Sequence, residues 1–436
     1  MNEHVFPILT ILGGGLTGLS LAYHYKGKSE IFEQESKIGG TASSETYGDF
    51  VFDHGPHLSF TKNKYVISLL NLGTRVVEKQ ARPINQYKGL EFPHPALFHL
   101  KRLDKVSGYN ILMDLIEQYK ISENKQVSNY EDWCVRTQGK YFAENFTKAY
   151  TKKFWRTDPS ELSIDWVKDR IPNPSIKEAV SGTFGLEEKT GYYIDKYRYP
   201  ISGGFGSFSN FWQFRKKDIS IHLNSRVTSI DPSEKMIQFS SGKTIKYSRL
   251  VSTLPLPNLI AMIKGVPSRI TNLSKELRHS SLHYLNIALY GRTKRKFSWV
   301  YFYDSEIPVS RLIAYNNVGN NMAPSNFSSI QIEIPYTEKY DSRDTEKAIS
   351  SLENLGYINE RDIHRIWEFD LRFGYPIHDL KRTIILDEIY KYLDEVGIVT
   401  AGRYGRWEHL WSHQVIIQGK EFAEFLSDPS TLSKFS

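Results

Sequence analysis

The chain has 436 residues and a single cysteine, Cys134. One thiol cannot close an internal disulfide, which excludes a disulfide-stapled scaffold and makes the cytoplasm the expected compartment. Runs of five or six consecutive Lys or Arg are absent, so a basic tail for nucleic acid is not expected, although the formal net charge is +7. That excess fits a small anion such as a dinucleotide or a nucleotide sugar, or simply a solvated basic surface, and no nucleic-acid partner is expected. The longest apolar run, Ile8 to Ala22, is broken by Gly13, Gly14, Gly15 and Gly18. It is too short and too glycine-rich to cross a bilayer, and no transmembrane segment is expected. The N-terminus lacks the basic start and small-residue cleavage site of a secretory signal. No Ser/His/Asp, Cys/His or metal-ligand arrangement is recognisable, so no metal site is expected.

Hydrophobic residues make up 40% and charged residues 24%, a globular balance, and aromatics reach 14%. The length predicts about two or three domains. Pro7 to Leu12 reads as a buried parallel strand, Leu16 to Lys26 as a helix and Ser29 to Glu33 as a second strand. Residues near 66 to 180 read as mostly helical. Strand patterns recur from Asp218 to Leu254 and from Tyr284 to Ile334, and the last fifty residues return to strand, glycine and helix. With no linker between these stretches, the domains are expected to interleave. The predicted class is α/β: a Rossmann-type dinucleotide domain (1–65, 200–260 and 385–436), a helical insertion (66–180) and a mixed β-sheet substrate domain (181–199 and 261–384).

Gly13-Gly14-Gly15-Leu16-Thr17-Gly18 fits G-x-G-x-x-G and sits between a strand and a helix, where the motif has a mechanism. Gly13 allows the tight turn, Gly15 lets the backbone approach a pyrophosphate, and Gly18 lets helix and strand pack closely. The helix N-terminus offers N–H groups and a positive dipole end to the phosphates. Glu33 ends the second strand, placed to accept the ribose hydroxyls.

After Glu33 the motif continues through Glu35 to Ala42 with a second glycine turn that includes Gly40 and Thr41. This resembles the FAD signature of the amine oxidase and protoporphyrinogen oxidase superfamily, and Thr400-Ala401-Gly402-Arg403 resembles its closing strand and turn. Further segments are similar to the UDP-galactopyranose mutases, especially the eukaryotic type: Phe52 to His57, Ala149 to Trp155 with Pro159, Trp166 and Arg170, and Tyr197-Arg198-Tyr199-Pro200 before a glycine turn. Trp299-Val300-Tyr301, Arg311, Gly374-Tyr375-Pro376 and Gly402 to Trp407 followed by Gln414 extend the resemblance.

That resemblance implies an FAD enzyme, active in the reduced form. It would interconvert pyranose and furanose forms of a sugar nucleotide, in surface-polysaccharide or glycoconjugate precursor synthesis, by attack of reduced flavin N5 on the anomeric carbon. NAD(P)H is a candidate reductant. His57, Arg170 and Arg311 carry over as catalytic residues. Val227, Gly402, Arg403 and Gln414 join the glycine motifs as cofactor contacts. Trp155, Trp299, Tyr301, Asn317, Tyr375 and His409 carry over as substrate contacts, Trp166 and Arg170 being expected on one helix face. The bland alternatives are a core histidine, core tryptophans and solvated arginines. Two phosphate-binding tyrosines of the family fall at Val318 and His409, where a valine offers no hydrogen bond and an imidazole is expected to titrate near neutrality, which puts the identity of the sugar nucleotide in doubt. An FAD-dependent oxidase or desaturase is the rival, because the first forty residues fit it equally well.

Overall fold

A computed structural model describes residues 6–120, 127–167, 170–171, 175–186, 195–293 and 295–428. The expected boundary at 181–199 therefore lies partly outside the described residues. The chain opens with β1 (Leu9–Leu12), α1 (Leu16–His24) and β2 (Ser29–Phe32). These belong to a five-stranded, all-parallel sheet in the order Ile398–Thr400, Arg249–Ser252, β1, β2, Ile219–His222. Every residue of β1 is buried, as a central parallel strand covered on both faces requires. The C-terminal helix Ser412–Leu426 packs on α1, so closely that a Cβ on Gly419 would lie 2.8 Å from the Thr17 carbonyl oxygen. The sheet thus collects segments from both ends and the middle of the sequence.

The second sheet is mixed and seven-stranded, in the order Ile363–Pro376, His279–Tyr290, Phe327–Tyr336, Arg311–Ala314, Trp299–Phe302, Pro83–Tyr87, Leu90–Pro93. Two of its strands come from the stretch expected to be mostly helical, and Val76–Gln80 pairs with Lys196–Pro200. The missed hairpin turns on Lys88 (φ 48°) and Gly89 (φ 78°), a two-residue connection with both φ positive. Asn or Asp normally signals such a turn at the first position, and Lys hides it. Helices do follow at Lys105–Lys120, Tyr130–Gln138, Lys148–Trp155 and Ile176–Phe184.

Register in the second sheet lines up one row of side chains across its strands. Phe369 pairs with Tyr284, Tyr284 with Glu333, Glu333 with Arg311, Arg311 with Tyr301, Tyr301 with Asn85, and Asn85 with Phe92. Cross-strand neighbours share a face, so an acid and a base meet here directly within an apolar sheet.

Asp53, in the hairpin 44–53, ties three distant segments to the second sheet. Its buried carboxylate accepts from the Tyr199 hydroxyl (2.6 Å), the Ser44 hydroxyl (2.7 Å) and the Phe205 amide (2.8 Å). Its backbone carbonyl accepts from Gln331 of the second sheet at 2.8 Å. Burial raises the Asp53 carboxyl to about 6 against those three donors. Among the described residues, no helix is long and apolar enough to cross a membrane.

Gly18 gives the most direct test of the βαβ packing. A Cβ there would lie 2.1 Å from the Gly13 carbonyl oxygen and 3.3 Å from Ile11, so α1 must move off β1 to admit it. Gly18→Ala is expected to destabilise the fold by about 1–3 kcal/mol. Chemical denaturation of the two proteins measures this, and equal midpoints would refute the close packing.

Candidate active site

Both sheets contribute to one cavity of about 1020 Å³. That is at the upper end of the roughly 300–1,000 Å³ usual for a single ligand, so a dinucleotide would leave room for a second one. The first part of the wall is the glycine cradle. Gly13 (φ 103°) takes a conformation that favours glycine, and a Cβ on it would meet the Thr253 hydroxyl at 2.3 Å. Gly15, by contrast, faces open space, with no heavy atom closer than 3.9 Å to an added Cβ. No side chain caps α1, and no acidic residue occupies its first turn. Its N-terminal amides are therefore available to an anion.

The second glycine turn docks on the first. The Gly39 amide donates to the Gly14 carbonyl at 2.9 Å, and a Cβ on Gly40 would lie 3.2 Å from the Gly15 Cα. Glu33 lines the cavity at the end of β2. Its carboxylate accepts from the amides of Gly14 (2.7 Å) and Glu35 (2.9 Å), which fixes its orientation and leaves lone pairs on both oxygens. Thr41, Val227, Gly402 and Arg403 also line the wall. The Nε and NH2 groups of Arg403 are buried without a hydrogen-bond partner. The uncapped start of α1 beside Gly15, the free lone pairs of Glu33 and the two unpartnered nitrogens of Arg403 together fit a bound dinucleotide.

The registered row and the helix Lys148–Trp155 supply a second cluster. Glu333 is fully buried and accepts from Arg311 Nε (3.1 Å), Arg311 NH2 (2.7 Å), the Ser310 hydroxyl (2.6 Å) and the Tyr284 hydroxyl (3.0 Å). Arg311 NH2 also donates to the Tyr375 hydroxyl at 2.8 Å. Burial works against a charge on Arg311, but Glu333 outweighs it and holds the guanidinium charged. The two-pronged face expected to meet a diphosphate is thus committed to Glu333, and the NH1 amino group is what remains for a ligand.

Around this pair stand Phe154 (4.4 Å from Tyr375, ring to ring), Trp155, Trp166 and Tyr301. The buried hydroxyl of Tyr150 has no hydrogen-bond partner, and Tyr150 also lines the cavity. Trp299 and Tyr301 both line it, as strand alternation requires. His57 lines it too. Its Nδ1 must carry the proton, since it faces the Gly55 carbonyl at 2.9 Å. Burial pulls its pKa down to about 4, with Arg403, His54 and Arg311 adding to the shift, so the ring is neutral at pH 7.

Three expected contacts do not reach the cavity wall. Asn317 donates to the carbonyls of Arg295 (2.8 Å) and Phe297 (2.7 Å), which turns its amide into a loop brace. Gln414 accepts from the Trp411 amide (2.8 Å) and from Arg170 (3.2 Å), so it caps a helix and holds the arginine. Gly18 serves packing alone. Val318 is 1% exposed within the core and its carbonyl accepts from Tyr197, so it is not in the position of a missing phosphate ligand. Trp166 lies in a turn, not a helix, and the Arg170 amide donates to the Val167 carbonyl; residues 168 and 169 lie outside the described residues.

Arg170 lines the cavity, donates to the His409 carbonyl and lies over the Trp411 ring at 4.6 Å. His409 was expected to titrate near neutrality. Burial and the charges of Arg170 and Arg403 instead hold its pKa well below the ordinary value.

Glu333, Tyr150 and Tyr284 escaped the reading of the sequence. The available signal was one carboxylate, Glu333, the single charged residue of the strand sequence Phe327 to Tyr336. Such a residue is rarely buried without a partner.

The parallel sheet, double glycine turn and acidic strand end define a Rossmann-type dinucleotide-binding fold joined to a large mixed sheet. Residues 11–71 match the NAD(P)-binding Rossmann-like domain family. The chain has the fold of UDP-galactopyranose mutase: the crystal structure of that enzyme in reduced form superimposes with a TM-score of 0.90 at 21% identity, covering 98% of this chain and 96% of the other. An engineered putrescine oxidase superimposes with a TM-score of 0.64 at 15% identity, covering 96% and 98%. In sequence the chain is 21% identical to 4,4'-diaponeurosporene oxygenase of Staphylococcus aureus (strain MRSA252), over 84% of each chain.

Replacing Glu333 by Gln leaves the Arg311 charge buried without its counter-ion. Loss of one partner of such a pair costs about 3–5 kcal/mol. Denaturant titration of Glu333→Gln is expected to show that loss, and a change under about 1 kcal/mol would mean that the pair is solvated.

Proposed function

We propose that the chain is a flavin-dependent enzyme that interconverts pyranose and furanose forms of a sugar nucleotide. One observation carries this reading. Beyond the dinucleotide cradle, the same cavity gathers Arg170 and Arg311 with the hydroxyls of Tyr150 and Tyr375. An apolar substrate needs no such set of donors, whereas a diphosphate does. The fold shared with UDP-galactopyranose mutase supports the same choice. The proposed cofactor is FAD, held by the amides of Gly15 and α1 at its pyrophosphate and by Glu33 at its ribose.

A bound, reduced flavin would supply the nucleophile for the sugar's anomeric carbon. The protein's part is binding and electrostatics. Arg311 NH1 and the Tyr150 and Tyr375 hydroxyls would hold the diphosphate and stabilise the charge it gains on leaving. Trp155, Trp299 and Tyr301 would wall in base and sugar and exclude water. Neutral His57, its Nδ1 proton committed to Gly55, presents an acceptor at Nε2 and adds no charge beside the cofactor.

The likeness to 4,4'-diaponeurosporene oxygenase favours a second reading, an oxidase or desaturase. Turnover under air separates the two. A mutase should require prior reduction and then run without consuming reductant, whereas hydrogen peroxide formed in step with product would establish the oxidase.

Arg311→Ala is expected to weaken UDP binding by about 1.5–3 kcal/mol, or roughly ten- to hundredfold, as loss of a charge-assisted contact implies. Calorimetric titration with UDP checks this. Unchanged affinity would remove Arg311 from the phosphate site.

A further inference from the structure

Behind the phosphate cluster lies a line of titratable side chains that leads outward. Asp165 has 47% of its side chain exposed. The Nδ1 of His378 lies 3.2 Å from Asp165 Oδ1 and 3.3 Å from Oδ2, and the His378 ring is buried. Its other nitrogen, Nε2, is sealed from solvent and has no hydrogen-bond partner. The His409 ring stands beyond it, 6.3 Å away centre to centre and nearly perpendicular at 83°. His409 Nδ1 is likewise buried and unpartnered, while its ring lines the cavity and stacks at 5.8 Å on Tyr375. A hydrogen bond needs about 2.7–3.2 Å between heavy atoms, so the two rings are too far apart for a direct bond and suited to one bridging water.

We propose that Asp165, His378 and His409 form a proton relay between solvent and the phosphate end of the cavity. The inference rests on reading that cavity as a phosphate site. Asp165 orients His378, as a carboxylate orients an imidazole in other relays. A proton taken up at one nitrogen of His378 is matched by one released from the other. One water between the rings would carry it to His409 Nδ1, and His409 hands one on to a ligand oxygen or keeps it as a cation.

The charges around His409 decide when it keeps the proton. Arg170, Arg403 and His378 face it, while Arg382 and Asp165 face His378. With the cavity lacking an anion, burial and this positive surround hold His409 neutral. A diphosphate beside Arg170 and Arg403 offsets both charges, so the His409 pKa must rise on binding. Proton uptake then appears at pH values above the pKa of the ligand-free ring and below that of the liganded one. His409 stands where the related mutases carry a tyrosine, and a phenol cannot perform this exchange near neutrality.

The test uses the flavin-loaded protein and UDP. Calorimetric titration near pH 6.5 in two buffers of different ionisation enthalpy counts the protons taken up. Wild type should take up a fraction approaching about one proton per UDP, and His409→Asn none. Stopped-flow mixing with a pH indicator then measures how fast the proton arrives. In His378→Gln the same proton should arrive about a hundredfold more slowly, the lower range for a positioned proton donor. Asp165→Asn, at a half-exposed site and of the same size, should slow it in the same direction and guards against misfolding of the buried variant.

No uptake by wild type, undiminished uptake by His409→Asn, or wild-type speed in both relay variants would overturn the proposal. If UDP does not bind but pyrophosphate does, with the same proton uptake, the nucleotide reading fails and the relay stands. If neither binds, both fail.

Discussion

The ion pair between Arg311 and Glu333 is the constraint around which the site is arranged. A carboxylate with no solvent exposure survives inside a sheet only when its lone pairs are filled, and here strand register fills them. Tyr284 and Arg311 reach Glu333 from the neighbouring strands on either side, and Ser310 reaches it from beside Arg311. Shifting any of these strands by one residue would turn a partner to the opposite face and strand the charge. Demands of stability and of binding therefore select the same register. The pair also limits what Arg311 offers, since most of its donors are spent inside the protein.

A second constraint comes from backbone proximity. The two glycine turns touch each other before they touch any ligand, through the Gly39 to Gly14 hydrogen bond and the approach of Gly40 to Gly15. A side chain on Gly40 would press on Gly15 and push the turns apart. Glu33 is held by the same loop, through the Gly14 and Glu35 amides. Phosphate cradle and ribose acceptor are consequently one rigid unit, set by main-chain contacts.

Legibility in the sequence followed the range of the physics. The βαβ unit was readable because its rules are local: apolar strand, glycine spacing, acidic strand end. His57, Trp155, Arg170, Trp299, Tyr301, Arg311, Tyr375 and His409 were named from a resemblance in motif, and all of them line one cavity. Asn317 and Gln414 make other contacts, because a motif carries position along the chain but not the direction of a side chain. Glu333 and Tyr284 were invisible for the opposite reason. Their roles exist only across strands far apart in sequence, and no local pattern records a register. The hairpin at Lys88-Gly89 was lost to an unusual turn residue, and the titration expected of His409 to neighbours that only the fold brings near.

The parallel sheet has a consequence for the birth of the molecule. β1 lies between β2 and the strand Arg249–Ser252, whose other edge pairs with Ile398–Thr400. A ribosome making this chain releases β1 and β2 early, yet more than two hundred residues must follow before β1 gains its second neighbour. Loop closure over such separations is slow, and an apolar strand left open is a template for wrong pairing. The glycines of the first turn, poor in β-propensity, directly follow that strand and shorten the sticky segment. The cradle that would receive phosphate thus also acts, during synthesis, as a break in an aggregation-prone stretch.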